Sequence, residues 1–177
     1  SDGRFILGLG ASGPQVIEGF HGVPYEKPMQ RIKEYIEACR MIWKREEKFN
    51  YQGQTFQAPL PEGQGTGLGK PLKIINHPVR ADIPILLGSW GAQTLRACAG
   101  RYQEIKIGGS ANPAVLPHFR KVLRAAHAAF AAPSARNAAD AVDICIGAVC
   151  VVDEDGDAAR ARARRECLEH DDAFARP

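Results

Sequence analysis

The chain has 177 residues, of which 45% are hydrophobic and 24% are charged, and its formal net charge is +3. This composition is typical of an ordinary globular domain and excludes a largely disordered chain, while the charge is too small to indicate a nucleic-acid partner. No apolar run approaches the roughly 20 residues that span a bilayer, and the N-terminus lacks the basic start and cleavage site of a signal peptide. We therefore expect a cytoplasmic protein without membrane or nucleic-acid partners.

The cysteines are odd in number and form neither a CxxC pair nor a group with histidine at ligand spacing. We interpret them as reduced core residues and expect no metal site. A strand is predicted over residues 141–152. Cys145 and Cys150 are separated by an odd number of positions along it, so their side chains would lie on opposite faces of the strand. The five positions are Cys39, Cys98, Cys145, Cys150 and Cys167.

Residues 4–10 are nearly all apolar, as in a buried parallel strand, and they run into a glycine-rich turn over residues 8–13. That turn matches the dinucleotide fingerprint G-x-G-x-x-G, which must open a helix directly. Prolines and glycines at 14, 19, 22 and 24 interrupt the following stretch, and no strand with an acidic end follows about 20 residues later. We interpret the glycines as a strand-end turn rather than a Rossmann site.

The apolar spacing predicts a helix over residues 27–45, followed by a long loop over 46–82 that is rich in glycine and proline. Such a loop is often a lid or a substrate loop. Its GQGTGLGK run is not a P-loop, because Gln64 and Pro71 occupy positions that require glycine and a hydroxyl residue. Lys70, His77 and Arg80 could reach a substrate from this loop, or could simply be solvated.

The central unit is a predicted strand over 83–87, a glycine turn, a helix over 92–98 and a second strand over 104–107. A βαβ unit of this length requires parallel strands. The turn after the first strand offers free N–H groups at a helix N-terminus, an arrangement that suits an anion. The turn after the second strand has the same arrangement, with Asn112 as the predicted N-cap and Pro113 at the first helical position. Either turn could also be a plain connection.

Further alternation predicts a helix over 113–132 and a final helix after the acidic run at 153–157. The pattern indicates an α/β protein, either an open doubly wound sheet or an arc of a (β/α) barrel, with ligands beyond the carboxyl ends of the strands. If Ile105 and Ile107 pack against helices, alternation directs Lys106 to the barrel interior; a rim lysine is the alternative.

Several long strings resemble the luciferase-like superfamily of (β/α)8 enzymes, which use FMN or the deazaflavin coenzyme F-420. They are RFILGLGASG, EGFHGVPYEKPMQRIKEYIE, GTGLGKPLKIINHPVR and KIGGSANP. The chain resembles the deazaflavin branch most, and within that branch it is similar to methylenetetrahydromethanopterin reductase. It implies that residues 1–177 are one incomplete TIM barrel domain, about strands four to seven with their helices, carrying 46–82 as a loop insertion. A complete member needs about 250 residues.

The resemblance also implies a cofactor site on three turns at one end of the barrel. The matching positions are Gly10, Ala11 and Ser12; Gly88, Ser89, Trp90 and Gly91; and Gly108, Gly109 and Ser110. Two departures stand near them: Ala92 follows Gly91 where the family usually has proline, and Gln103-Glu104 replaces an Ala-Asp pair.

The resemblance implies an oxidoreductase that transfers hydride between coenzyme F-420 and an unknown small organic substrate. The alternatives are an FMN-dependent monooxygenase and a non-catalytic half-barrel that binds phosphate or assembles with a second copy as a homodimer. No catalytic residue is identified, although His21 and His77 are candidates for proton transfer. We expect this segment to have little activity by itself.

Overall fold

The structure is a computed structural model that describes residues 2–89, 91–108, 112–130, 139–147 and 150–174, with side chains described up to 129 and 165 in the two ranges that end in helices. None of the helices in these ranges is long and apolar enough to cross a membrane. The strands are β1 (Leu7–Gly10), β2 (Tyr51–Gln52), β3 (Gln57–Ala58), β4 (Ile85–Gly88), β5 (Glu104–Ile107) and β6 (Asp143–Ile146). The helices are α1 (Pro14–His21), α2 (Pro28–Lys44), α3 (Ala92–Ala97), α4 (Leu116–Phe130) and α5 (Gly156–Phe174), with 3-10 turns at Pro113–Val115 and Ala139–Ala141.

Four strands form one sheet in the order β1-β4-β5-β6, and every neighbouring pair is parallel. The register sets Gly10 beside Gly88 and Gly88 beside Lys106. The predicted βαβ unit is confirmed as β4, α3 and β5, and so is the mixed α/β class with a parallel sheet. β2 and β3 form a separate antiparallel hairpin inside the long loop.

One face of the four-stranded sheet, the covered face, packs against helices. Its central side chains are fully or almost fully buried, with Ile85, Leu87 and Ile105 at 0% exposure. They join one core cluster with side chains of α2, α3 and α4, including Ile36, Leu95 and Leu123. Burial on this scale is the main favourable contribution to folding, about 2 kcal/mol for each such side chain.

The opposite face of the sheet, the open face, carries side chains that are exposed or half-buried. Alternation along the strands and the register across them place these residues on one surface. They are Gly8, Gly10, Leu86, Gly88, Glu104, Lys106, Asp143 and Cys145. The condition set for Lys106 is met, since Ile105 and Ile107 are buried in the core cluster on the covered face. Lys106 lies on the open face, where it is exposed, and its position in a barrel interior remains a prediction.

Two predictions about elements were wrong. A helix does begin directly after the glycine turn of β1: Pro14 occupies its first turn, where proline is tolerated, and Gly22 ends it in the left-handed conformation at a φ of 61°. β6 ends at Ile146, so Cys150 lies outside the strand and the opposite-face argument for Cys145 and Cys150 does not apply. Cys39, Cys98, Cys145 and Cys150 are free thiols, but the prediction of core positions holds fully only for the buried Cys98 and is wrong for the exposed Cys150. The side chain of Cys167 lies outside the described part.

The long loop is attached to α2 by a buried carboxylate. Glu34 is 2% exposed, and it accepts hydrogen bonds from the backbone N–H groups of Gln54 and Thr55 at 2.8 and 2.9 Å. The Thr55 hydroxyl and the Gln30 amide also donate to it, at 2.6 and 2.7 Å. A Cβ at Gly53 would overlap a Glu34 carboxylate oxygen, so glycine suits this position. The carboxylate therefore fixes the β2–β3 hairpin against the helix.

Candidate functional site

The carboxyl ends of β1, β4 and β5 meet at one edge of the sheet. Gly10 and Gly88 are paired in register, and Lys106 is the next residue across. The turns that follow these strands therefore begin side by side, as parallel topology requires. Within the described residues, this edge brings together Gly10, Ala11, Ser12, Gly88, Ser89, Gly91 and Gly108, whereas Trp90, Gly109 and Ser110 lie outside them.

The turn after β1 is held in an uncommon backbone conformation by a tyrosine. Ser12 has a φ of 58°, which is unfavourable for a residue other than glycine, asparagine or aspartate. The Tyr25 hydroxyl donates to the Ser12 carbonyl at 2.9 Å, and the Tyr25 N–H donates to a Glu18 carboxylate oxygen at 3.1 Å. This contact fixes the path of the turn and leaves the exposed Ser12 side chain without a role in it. Sequence reasoning missed Tyr25, because nothing in its spacing indicates a contact across α1.

The turn after β4 uses one of its own donors internally. The Ser89 hydroxyl accepts from the Gly91 N–H at 3.2 Å, and Gly91 is the N-cap of α3, whose first N–H groups have no side-chain cap. Because α3 is only six residues long, its dipole is a modest source of positive potential. The turn can offer backbone donors to an anion, but the Gly91 N–H becomes available only if the Ser89 hydroxyl turns away.

The turn after β5 begins at the half-buried Gly108. Beyond it, the Asn112 side chain accepts from the Ala114 N–H at 3.0 Å and caps the 3-10 turn that begins at Pro113. The predicted N-cap and the predicted first-turn proline are confirmed.

A cavity of about 150 Å³ opens beside the first turn. Gly10 and Ala11 line it from the sheet, and Pro28, Arg31 and Ile32 line it from the beginning of α2. Ile17, Tyr25, Glu26 and Tyr35 complete the lining. Because α2 runs antiparallel to the strands, its N-terminal end lies at the same edge as the strand ends.

Of the three loop candidates, Arg80 is located by a contact at the opposite edge of the sheet. Arg80 donates from a terminal nitrogen to the Phe5 carbonyl at 2.8 Å, next to the beginning of β1. This contact places Arg80 near the amino end of β1, away from the strand-end turns, and is neither a substrate contact nor the purely solvated alternative. Lys70 and His77 are exposed on the same long loop, and His21 is exposed at the end of α1.

The side chains with clearly shifted pKa values lie on the helical side of the molecule. Burial alone would raise the pKa of Glu34, but the hydrogen bonds from Thr55, Gln30 and Gln54 outweigh it and lower the pKa from 4.5 to about 2. Burial raises the pKa of the Cys98 thiol to about 11, and it also raises the pKa of the Tyr51 and Tyr102 hydroxyls. These groups stabilise the fold, and none of them lies at the strand ends.

In the described ranges, no three histidine, cysteine or acidic side chains approach closely enough to hold a metal ion.

Comparison with known proteins adds a family and two relatives. The family described as luciferase-like monooxygenase matches residues 1–176. A Mycobacterium tuberculosis protein named as a coenzyme F-420-dependent oxidoreductase is 40% identical over 159 residues, which are 90% of this chain and 45% of that protein. The 5,10-methylenetetrahydromethanopterin reductase of Archaeoglobus fulgidus is 30% identical over 165 residues, 93% of this chain and 43% of its own length. The chain spans about half the length of the curated relatives it matches.

Proposed function

The chain belongs to the luciferase-like monooxygenase family, as its motifs predicted, and we propose on that basis that it contributes the cofactor-binding half of a coenzyme F-420-dependent oxidoreductase. The observation that carries this proposal is the adjacency of the turns after β1 and β4, whose terminal glycines are paired in register. The substrate is a small organic molecule that exchanges hydride with the coenzyme. The names of both relatives support an oxidoreductase, and one of them names this coenzyme.

At the carboxyl-terminal end of the open face, Gly10 and Gly88 are paired across β1 and β4 and form a glycine strip, where no side chain stands between the backbone and a flat cofactor ring. The Leu86 side chain lies beside Gly8 and limits the strip on the other side. A Cβ at Gly10 would already approach the Gly88 carbonyl to 3.3 Å. The turn residues Ala11, Ser12, Ser89 and Gly91 continue from these glycines and offer polar groups for the phosphate-bearing part.

In this arrangement the coenzyme supplies the hydride chemistry, and the protein binds and orients it. The glycine strip brings backbone carbonyls and N–H groups against the ring, while the turns hold the anionic part by hydrogen bonds. The apolar lining of the adjacent cavity excludes water from one side of the ligand. We propose no catalytic acid or base, because His21 and His77 are exposed and no described hydrogen bond joins either of them to the strand-end turns.

We also propose the larger architecture of which the sheet is part. The four parallel strands correspond to about strands four to seven of a (β/α)8 barrel, and residues 1–177 form one incomplete barrel domain. Residues 46–82 are an insertion between α2 and β4, attached by the Glu34 carboxylate. Among the described residues, no strand pairs with the outer edge of β1 or β6, which supports this proposal because barrel closure would pair both edges.

The test is a titration of the 177-residue chain with coenzyme F-420 and, separately, with FMN, followed by absorbance and fluorescence. We expect saturable binding of coenzyme F-420 and at least tenfold weaker binding of FMN. Gly10→Val should weaken coenzyme binding tenfold or more by placing a side chain on the glycine strip. Gly19→Val is the matched control, because a Cβ at Gly19 meets nothing within 4 Å.

Two alternative functions are each supported by one observation. The family description names monooxygenases, and binding of FMN without coenzyme F-420 would favour an FMN-dependent enzyme. The open strand edges favour a half-barrel that assembles with a second copy as a homodimer. A stable dimer in size-exclusion chromatography, together with no affinity for either cofactor, would contradict the enzymatic proposal and favour assembly.

A further inference from the structure

We propose that the cavity between the β1 turn and the beginning of α2 is a subsite for a small oxyanion, a carboxylate or a phosphate group, which Arg31 recognises. The inference deepens the proposed function, since the cavity shares Gly10 and Ala11 with the coenzyme edge. It adds a charged recognition residue on α2, outside the strand-end turns. The same chemistry could come from the substrate or from the phosphate of the coenzyme.

Among the described residues, no carboxylate pairs the positive charge of Arg31. Its Nε atom is buried and has no hydrogen-bond partner among the described residues. In the same ranges, no acceptor or carboxylate contacts the rest of its guanidinium group. Two neighbouring arginines do have acceptors: Arg40 of α2 donates to the Ile83 carbonyl at 2.6 Å, and Arg45, the C-cap of α2, donates to the Ile74 carbonyl at 2.6 Å. A buried donor without an acceptor costs about 1 to 3 kcal/mol, and more when it is charged. An oxyanion in the cavity offers the acceptor that Arg31 lacks.

The surroundings of Arg31 favour an anion over a cation. Arg31 lies at the beginning of the 17-residue helix α2, whose dipole adds positive potential, and no acidic residue lies in the first turn. Glu26 is the one carboxylate in the lining; it is exposed and not within ion-pairing distance of Arg31 in the described part. A planar guanidinium matches the two oxygens of a carboxylate or phosphate in a bidentate arrangement.

The size of the cavity limits what it can hold. At about 150 Å³ it is smaller than the roughly 300 Å³ at which pockets for whole ligands begin. It therefore accepts one acidic group and a few attached atoms, with Ile17 and Ile32 against the apolar part. The remainder of the ligand would extend past Gly10 onto the open face.

The experiment follows the Arg31 Nε–H signal directly by nitrogen–proton NMR of the 177-residue chain, with the signal assigned by its loss in Arg31→Met. Inorganic phosphate and acetate are the probes, and chloride at matched ionic strength is the control for screening. We expect a saturable shift of this signal with phosphate or acetate and none with chloride. Arg31→Lys should retain anion binding at several-fold lower affinity, while Arg31→Met should lose it by tenfold or more.

Arg96→Met is the matched control, since Arg96 is an exposed arginine on α3 and should bind the probes as the unchanged chain does. Thermal unfolding of each variant checks that the fold is retained. The inference is overturned if the Arg31 signal does not respond saturably, or if Arg31→Met and Arg96→Met bind the anions equally.

Coenzyme titrations separate the two sources of the anion and the two proposals. If Arg31→Met also weakens coenzyme F-420 binding and phosphate competes with the coenzyme, the subsite holds the coenzyme phosphate. If coenzyme binding is unchanged while acetate binding is lost, the subsite holds a substrate carboxylate. Coenzyme binding without any Arg31-dependent anion binding refutes the subsite alone, whereas Arg31-dependent anion binding without coenzyme binding refutes the proposed function alone.

Discussion

The two faces of the sheet are made from the same four strands but differ in burial and in the kind of side chain they carry. On the covered face, Ile85, Leu87 and Ile105 are fully buried under helices. On the open face, the same strands carry glycines on β1 and β4 and charged residues on β5 and β6. The alternation of a strand thus separates buried core side chains from exposed ones at intervals of a single residue.

This difference indicates where substitutions are tolerated. Side chains on the covered face are held in a close-packed core, in which lost volume is not recovered. Side chains on the open face have few neighbours within the described part, so their loss should affect ligands more than folding. The faces can therefore be distinguished by measuring stability and binding for matched pairs of variants.

The largest expected effect is the loss of volume on the covered face. Ile105→Ala should lower the free energy of unfolding by about 4 kcal/mol, because a fully buried side chain leaves a cavity. Leu86→Ala, a truncation of the neighbouring strand on the open face, should cost about 1 kcal/mol, since Leu86 is half-buried. Urea unfolding measures both. Similar losses for the two variants would mean that the open face is also packed in solution.

The second effect is the response of the Glu34 contact to acid. The pKa of Glu34 is about 2 in the folded chain and 4.5 without its partners, so the unfolded chain binds more protons between these values. The stability from this carboxylate, about 3 kcal/mol in all, is present above pH 4.5 and is lost as the pH falls through about 2. Between pH 6 and pH 3 we expect a loss of about 2 kcal/mol in urea unfolding.

Two variants test the assignment of that loss to Glu34. Glu34→Gln should be less stable at pH 6 and should lack this part of the pH dependence, because an amide cannot accept from all of the donors around it. Glu46→Gln is the control, since Glu46 is exposed and forms only a long ion pair with Lys44 at 3.9 Å. If both variants keep the same pH dependence, another carboxylate is responsible.

The local sequence predicts the helices and strands whose pattern and boundary signals agree. α2 was predicted over 27–45 and is found at Pro28–Lys44, and β5 was predicted over 104–107 and is found there. The sequence pattern does not predict α1, although its proline and glycine do not prevent a helix. Gly19 costs a helix only about 1 kcal/mol, and Pro14 lies in the first turn. β1 is shorter than predicted because Phe5 and Ile6 are apolar but exposed before the strand begins.

The strand-end turns could be predicted, but the contacts around them could not. Parallel topology alone places Gly10 and Gly88 at one edge, and the glycines mark the turns. The contacts of Glu34 with Gln54 and Thr55 join residues 20 and 21 positions apart through backbone donors, which no periodicity records. The same holds for Arg31, because its unpaired Nε atom is seen only in the folded arrangement of the described residues.

A third, smaller difference should appear in the reactivity of two cysteines. Cys98 is fully buried on the helical side, and burial raises its pKa to about 11, so it should resist alkylation at pH 8 until the chain unfolds. Cys145, on the open face, is half-buried and should react at least tenfold faster. Mass spectrometry of the labelled peptides measures both rates. Protection of Cys145 that disappears on dilution would instead indicate that a second copy covers the open face.

The smallest expected effect concerns Lys106, the charged residue nearest the glycine strip. Lys106→Met should change the free energy of unfolding by no more than about 0.5 kcal/mol, because the side chain is exposed and no partner contacts it in the described residues. It should weaken coenzyme F-420 binding about fivefold, since a positive charge is removed beside Gly88 in the register. This difference should shrink as salt screens the charge. Lys121→Met, an exposed lysine on α4, is the control, and equal binding by the two variants would place the ligand away from the open face.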